Sequence, residues 1–266
     1  MQKKTLNFKT YSSLKVGQKE EVLVVEDYDE SLKDFYLIGS CNNTLIGTKP
    51  PPLMMLSKKF DFIKIEDNLL KIGAATPSGK ISSFCKKNNI KNFEFLSHLP
   101  GKLGGLIFMN AGLKEYEISN YLVDVTLSSG KKRGDEIEFE YRKSGIDEII
   151  FEASFILEYG YDVNRVEIFK KMRSNQPKTP SAGSCFKNPP NDYAGRLIEA
   201  VGLKGLRVGD MEFSSQHANF LVNHKDGTFD DAIYLIQEAQ KRVFSEFGIK
   251  LECEIEILDT IKKSIY

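Results

Sequence analysis

Tryptophan is absent from this chain of 266 residues, and histidine occurs three times, at His98, His217 and His224. So little histidine argues against a histidine-built metal centre. The four cysteines (Cys41, Cys85, Cys185, Cys253) form no C-x-x-C pair and read as reduced, mostly buried thiols rather than a zinc or disulfide framework. A surplus of charge is also missing, because 37 lysines and arginines balance 37 aspartates and glutamates. Without basic excess there is nothing to hold a polyphosphate backbone, so nucleic acid is not the expected partner. No apolar run approaches a membrane span, and Met1-Gln-Lys-Lys-Thr lacks the apolar stretch of a signal peptide. The expectation is a cytoplasmic protein with no metal and no membrane contact. The missing tryptophan excludes nothing.

What is present is an ordinary globular composition, 41% hydrophobic and 28% charged, long enough for one large domain or two to three small ones. Neither an internal repeat nor a low-complexity segment is visible. Strand-like runs dominate to about residue 160: Glu21 to Val25, Phe35 to Ile38, Leu45-Ile46, Phe60 to Ile65, Leu69 to Ile72, Leu122 to Leu127, Glu136 to Tyr141 and Ile149 to Leu157. A helix is expected from Pro77 or Ser78, with Ile81, Phe84 and Cys85 inward and a stop at Asn88-Asn89. Past Gly160 the texture changes. Val163 to Met172 has helical spacing, and a second helix runs from about Asn191 to Ala200, closed by Gly202. His217 to Asn223 reads as a strand. Thr228 with Asp231 marks a capping box for an amphipathic helix ending at Gly248. The last strand alternates, Leu251, Cys253, Ile255 and Ile257 one way, Glu252, Glu254 and Glu256 the other, which ordinarily means a wet carboxylate face. The class is α+β.

Four stretches carry candidate chemistry. Pro180-Ser-Ala-Gly-Ser-Cys-Phe-Lys-Asn-Pro189 is a proline-fenced loop, or a loop entering a strand, that can bring a hydroxyl, a cation and an amide to one small molecule; a plain surface turn is the other reading. Leu99-Pro-Gly-Lys-Leu-Gly-Gly-Leu-Ile-Phe-Met-Asn-Ala-Gly112 concentrates glycine, either for close approach to a ligand or for tight packing of loop on sheet. Gly39-Ser-Cys-Asn-Asn-Thr44 lies between two strand-like runs, where backbone N–H groups can converge on a phosphate, or where a hairpin simply turns. It is no G-x-G-x-x-G, and no long helix follows. Arg142, in Tyr141-Arg-Lys-Ser144, stands past a strand end, where an arginine can fork onto a carboxylate or be merely solvated. Lys49 to Pro52 could link two subdomains.

Taken together and in order, these pieces resemble the UDP-N-acetylenolpyruvoylglucosamine reductases, flavoenzymes that make UDP-N-acetylmuramate for bacterial peptidoglycan. The likeness rests on the glycine-rich stretch with Asn110-Ala-Gly112, on Tyr141-Arg-Lys-Ser144, on Pro180 to Pro189, on Ala194-Gly-Arg-Leu-Ile-Glu199 with Gly202-Leu-Lys-Gly205, on His217-Ala-Asn-Phe220 and on Leu251-Glu-Cys-Glu254. The resemblance implies a two-subdomain FAD-binding fold of the vanillyl-alcohol-oxidase (PCMH) type over residues 1–50 and 51–160, and a C-terminal α+β substrate-binding domain over 161–266. It implies FAD as cofactor, held by Gly39, Ser40, Cys41, Asn42, Asn43, Gly101, Gly104, Gly105, Asn110 and Gly112. By the same likeness Arg142, Ser184 and Glu254 are catalytic, Glu254 orienting Arg142. Asn188 and Lys204 lie near the nucleotide-sugar, UDP-N-acetylglucosamine enolpyruvate. NADPH is the implied co-substrate and a monomer the implied state. Cys185 is read as packing.

Two departures stand out. Gly39-Ser-Cys-Asn-Asn43 replaces the family's G-G-G-S-N, and Leu113-Lys-Glu-Tyr replaces its usual Ala-Tyr-Gly continuation. The short span from Arg142 to Arg173 matches the branch lacking a tyrosine-bearing insertion. A flavin-binding protein of other or no activity, and a nucleotide-sugar binder without flavin, remain alternatives.

Overall fold

A computed structural model describes residues 2–261; residues 1 and 262–266, at the outer ends of the first and third expected segments, lie outside them. The chain divides into two compact units. The first comprises Leu23–Gly39 and Met54–Ser174 with the first residues of the chain, and the second Lys4–Val22, Ser40–Leu53 and the chain from Asn175 onward. Each unit has its own apolar core.

In the first unit an antiparallel sheet runs in the order Gly130–Arg133, Leu122–Leu127, Ile150–Ile156, Leu69–Gly73, Ile63–Glu66. The helix Ser78–Lys87 buries Ile81 and Cys85, one turn apart, and stops at Asn88, followed by Asn89 at φ 55°. These are the expected bounds. The helix Val163–Met172 also falls where its spacing puts it. Two runs behave otherwise. Phe60 is not in a strand, because Ser57 accepts the Lys59 N–H and winds Lys58–Phe60 into a 3-10 turn; the strand begins at Ile63. Glu136 is likewise drawn into the turn Gly134–Glu136 by accepting the Arg133 N–H, leaving only Phe139–Glu140 as strand.

In the second unit the antiparallel order is Ser181–Ser184, Phe220–Asn223, Met211–Phe213, Arg207–Val208. The helices Ala194–Ala200 and Phe229–Phe247 supply inward residues including Leu197, Ile198, Ile233 and Ile236. Thr228 Oγ1 accepts the Asp231 N–H, while Asp231 accepts the Thr228 N–H, and Gly248 closes the helix at φ 69°. Thr228→Ala therefore lowers unfolding stability by about 1 kcal/mol, read as a fall in urea midpoint at unchanged slope.

A hairpin at Gly39 to Thr44 is excluded. Tyr36–Leu37 belongs to a four-stranded sheet with Gln2–Asn7, Lys19–Val25 and Leu53–Leu56, whereas Thr44–Ile46 pairs in parallel with Glu256–Leu258. Between the strands Cys41 takes φ 50°, and the carbonyls of Cys41 and Asn42 accept the Ser13 hydroxyl.

Candidate active site

In the second unit the geometry is set by Gly183, at φ 81°, where a side chain would be strained. The pairing passes from Ser181↔Val222 to Ser184↔Phe220, so one strand carries an extra residue. Such a bulge re-aims the side chain that follows it. Ser184 emerges half-buried, and Cys185 and Phe186 behind it are fully buried. The Cys185 carbonyl accepts the Glu254 N–H at 2.9 Å, and Phe186 bridges to Cys253. Ser184 and Glu254, remote in sequence, thus flank one hydrogen-bonded junction.

That junction separates the three carboxylates. Glu252 is exposed and pairs with Lys187 Nζ at 2.5 Å, and Glu256 is exposed. Glu254 is half-buried, and its carbonyl accepts Asn43 Nδ2 at 2.7 Å. The expected continuous strand from Leu251 is broken at this bend, with regular strand only at Glu256–Leu258. Burial, with Cys253 and Glu254 beside it, pushes the Cys185 thiol well above its usual pKa, so it remains a packed, unreactive thiol. Asn188 Oδ1 accepts the Ala194 N–H at 3.1 Å at the start of the helix, and Lys204 Nζ pairs with Glu199 at 2.8 Å. Burial, reinforced by the Lys204 charge, holds the His217 imidazole below its usual pKa and therefore neutral.

In the first unit, Tyr141 and Arg142 form the tip of a two-residue hairpin between Phe139–Glu140 and Lys143–Ser144. Arg142 sits at φ 58°, a backbone region where an arginine is costly. Its guanidinium lies over the Tyr141 ring at 5.0 Å and donates to the Gly112 carbonyl at 3.2 Å. Ser144 Oγ donates to the Phe108 carbonyl, and Asn110 Nδ2 to the Glu140 carbonyl, so the whole hairpin is stitched to the glycine-rich stretch. Nothing in the sequence announced that docking. Arg173 lies near enough that its guanidinium is depressed in pKa, first by burial and then by the Arg142 charge.

The glycine-rich stretch itself contains a short helix, Leu103–Phe108. Its glycines differ in what stands beside them. A Cβ on Gly112 would fall 2.3 Å from the Tyr116 carbonyl oxygen, and one on Gly104 would fall 3.2 Å from Ala74 Cβ, which is tight packing. A Cβ on Gly105, or on Gly39, would meet nothing within 4 Å. Asn110, at φ 41°, is buried and donates to Glu117 Oε2 at 2.8 Å, which fixes its amide orientation. Its Oδ1 is then buried without a partner among the described residues. A large polar cofactor with N–H and hydroxyl donors suits such an atom, and the open space beside Gly105 leaves room for one, so these residues fit FAD. Among the described residues no group of three or more metal-ligating side chains is present.

Known proteins bear on this geometry. The chain is 48% identical to a UDP-N-acetylenolpyruvoylglucosamine reductase of Campylobacter jejuni over 258 residues, covering 95% of this chain and 99% of that protein. The chain belongs to this family. Identity to the UDP-N-acetylenolpyruvoylglucosamine reductase of Helicobacter hepaticus is 44%, over 97% of this chain and all of that one. A family model for the UDP-N-acetylenolpyruvoylglucosamine reductase C-terminal domain matches residues 176–258, the stretch holding Ser184, Asn219 and Glu254. The crystal structure of the Thermus caldophilus reductase superposes with a TM-score of 0.85 at 29% identity, covering 97% of this chain and all of that one. The mixed α/β architecture is therefore that of the reductases.

Proposed function

We propose that this family member reduces the enolpyruvyl group of UDP-N-acetylglucosamine enolpyruvate to UDP-N-acetylmuramate for peptidoglycan synthesis, using FAD and NADPH. The observation that carries the reading is the junction of Ser184 and Glu254 in a chain whose full-length relatives bear the reductase name. On this reading residues 1–50 and 51–160 form a two-part FAD-binding fold of the vanillyl-alcohol-oxidase type and 161–266 bind substrate. Gly39 to Asn43, Gly101, Gly104, Gly105, Asn110 and Gly112 hold FAD, and Asn188 and Lys204 serve the nucleotide-sugar. The chain's four cysteines are all free thiols, in keeping with a reducing, cytoplasmic setting.

When bound in this site, FAD would supply the hydride, with NADPH as its reductant. Arg142 meets the negative charge that hydride addition at the vinyl terminus builds on the neighbouring carbon and its carboxylate, a fixed cation aimed where charge develops. Ser184 gives its hydroxyl proton to that carbon, completing the saturated ether, and regains a proton from solvent. A hydroxyl is a weak acid, but a carbanion is a strong base, and the bulge at Gly183 holds the donor in place. Glu254 would orient Arg142 and, if protonated, would share the developing charge by hydrogen bonding.

Colour tests this directly. Purified protein is expected to be yellow, to bleach with NADPH in the absence of oxygen, and to regain colour on adding the enolpyruvyl nucleotide-sugar. A colourless protein that still bound a uridine nucleotide would sink the flavoenzyme reading.

A further inference from the structure

We propose that Asn219 is the positioning residue that sets Ser184 and Glu254 for proton delivery, an inference that rests on the function proposed above. The strand carrying Ser184 ends at that residue, and beyond it the antiparallel bridge of Phe186 to Cys253 uses the Cys185 carbonyl and the Lys187 N–H, which leaves the Phe186 N–H and carbonyl to find partners elsewhere. Buried peptide groups in that position must find partners. Asn219, only 3% exposed, supplies them with its side chain. Its Oδ1 accepts the Phe186 N–H at 3.0 Å, and its Nδ2 donates to the Phe186 carbonyl at 2.8 Å. Its own carbonyl accepts the Cys185 N–H at 2.6 Å.

Every peptide polar group from the Cys185 N–H to the Phe186 carbonyl is thereby held. Asn219 takes three, and the Cys185 carbonyl takes the Glu254 N–H at 2.9 Å. Only an amide of this length matches both a donor and an acceptor on one residue. An aspartate cannot donate, and a glutamine is a methylene too long.

Asn219 is itself boxed in. Its N–H donates to His217 Nδ1 at 3.3 Å, and Gly195 lies against it, a Cβ there falling 3.7 Å from the Asn219 Cβ and 3.4 Å from the His217 ring. The clamp acts on Ser184 from one side and, through Cys185, on Glu254 from the other. A shift of about 1 Å at such a site costs on the order of 10²-fold in rate.

The test is a double-mutant cycle in the holoenzyme, read by single-turnover kinetics. Asn219→Asp keeps the acceptor and loses the donor. Reduction of flavin by NADPH is expected to stay within about twofold of wild type, while reduction of the enolpyruvyl nucleotide-sugar slows about 10- to 100-fold. In a Ser184→Ala background the same change should cost less than about threefold more, because residues acting through one group are non-additive.

Multiplying losses in the double variant would show general structural damage and overturn the proposal, as would a wild-type rate in Asn219→Asp. A wild-type rate in Ser184→Ala alone would instead remove the role given to Ser184, and the proposal with it, before the cycle is closed. If Asn219→Asp does not fold, Asn219→Ala serves in the same cycle. Hydrogen exchange of wild-type holoenzyme gives a second reading: the Phe186 N–H should be as protected as those of Phe220–Asn223, and rapid exchange would overturn the clamp.

Discussion

Ser184→Ala leaves reduction of bound flavin by NADPH at its wild-type rate and slows reduction of the enolpyruvyl substrate by about 10²–10⁴-fold, the usual contribution of a positioned general acid. The substitution removes one oxygen from a half-buried side chain and disturbs neither Gly183 nor the bonds of Cys185 and Phe186, so the fold should be unaffected. Rapid mixing in the absence of oxygen separates the two half-reactions. A wild-type enzyme with a hydroxyl proton in flight should also show a solvent deuterium effect on substrate reduction that the alanine variant changes. Equal slowing of both half-reactions would mean that Ser184 serves binding or folding rather than proton transfer.

Arg142→Lys should be nearly as damaging, with kcat for substrate reduction down about 10²–10³-fold and little change in stability. That range is what loss of one preorganised charge-stabilising donor commonly costs. Lysine keeps the positive charge but loses the planar fork and the stacking on the Tyr141 ring. It also keeps the unfavourable φ of 58°, so the backbone cost is the same in both proteins and cancels. A hairpin tip of this geometry would be cheaper with glycine or asparagine. The presence of arginine there is the outlier from which a functional role is inferred. Steady-state kinetics alongside urea unfolding checks both halves: an unchanged kcat, or a kcat that falls only with stability, would remove Arg142 from the chemistry.

Helices were legible in the sequence because their signals are local. Pro77 and Asn88 bound one, the spacing from Val163 to Met172 defines another, and Thr228, Asp231 and Gly248 cap the longest. Strand boundaries were less so, since Ser57 and Glu136 spend side-chain acceptors on backbone N–H groups and wind what looked like strand into turns. The glycine-rich stretch was ambiguous for a similar reason. Whether a glycine makes room for protein or for a ligand depends on what stands beside it, and Gly112 and Gly105 differ in that respect.

The sequence by itself determined the class, the family resemblance and the residue types available for the chemistry: a hydroxyl after a glycine, an arginine near a strand end, a carboxylate in an alternating run. Only the tertiary structure decided that Glu254 rather than Glu252 or Glu256 is drawn inward, that Arg142 caps a hairpin stitched to the glycine-rich stretch, and that Asn219 clamps the backbone behind Ser184. The physical reason is range. Caps and periodicity act over a few residues, whereas the burial of one charge and the satisfaction of one peptide group are set by surfaces that arrive from elsewhere in the chain.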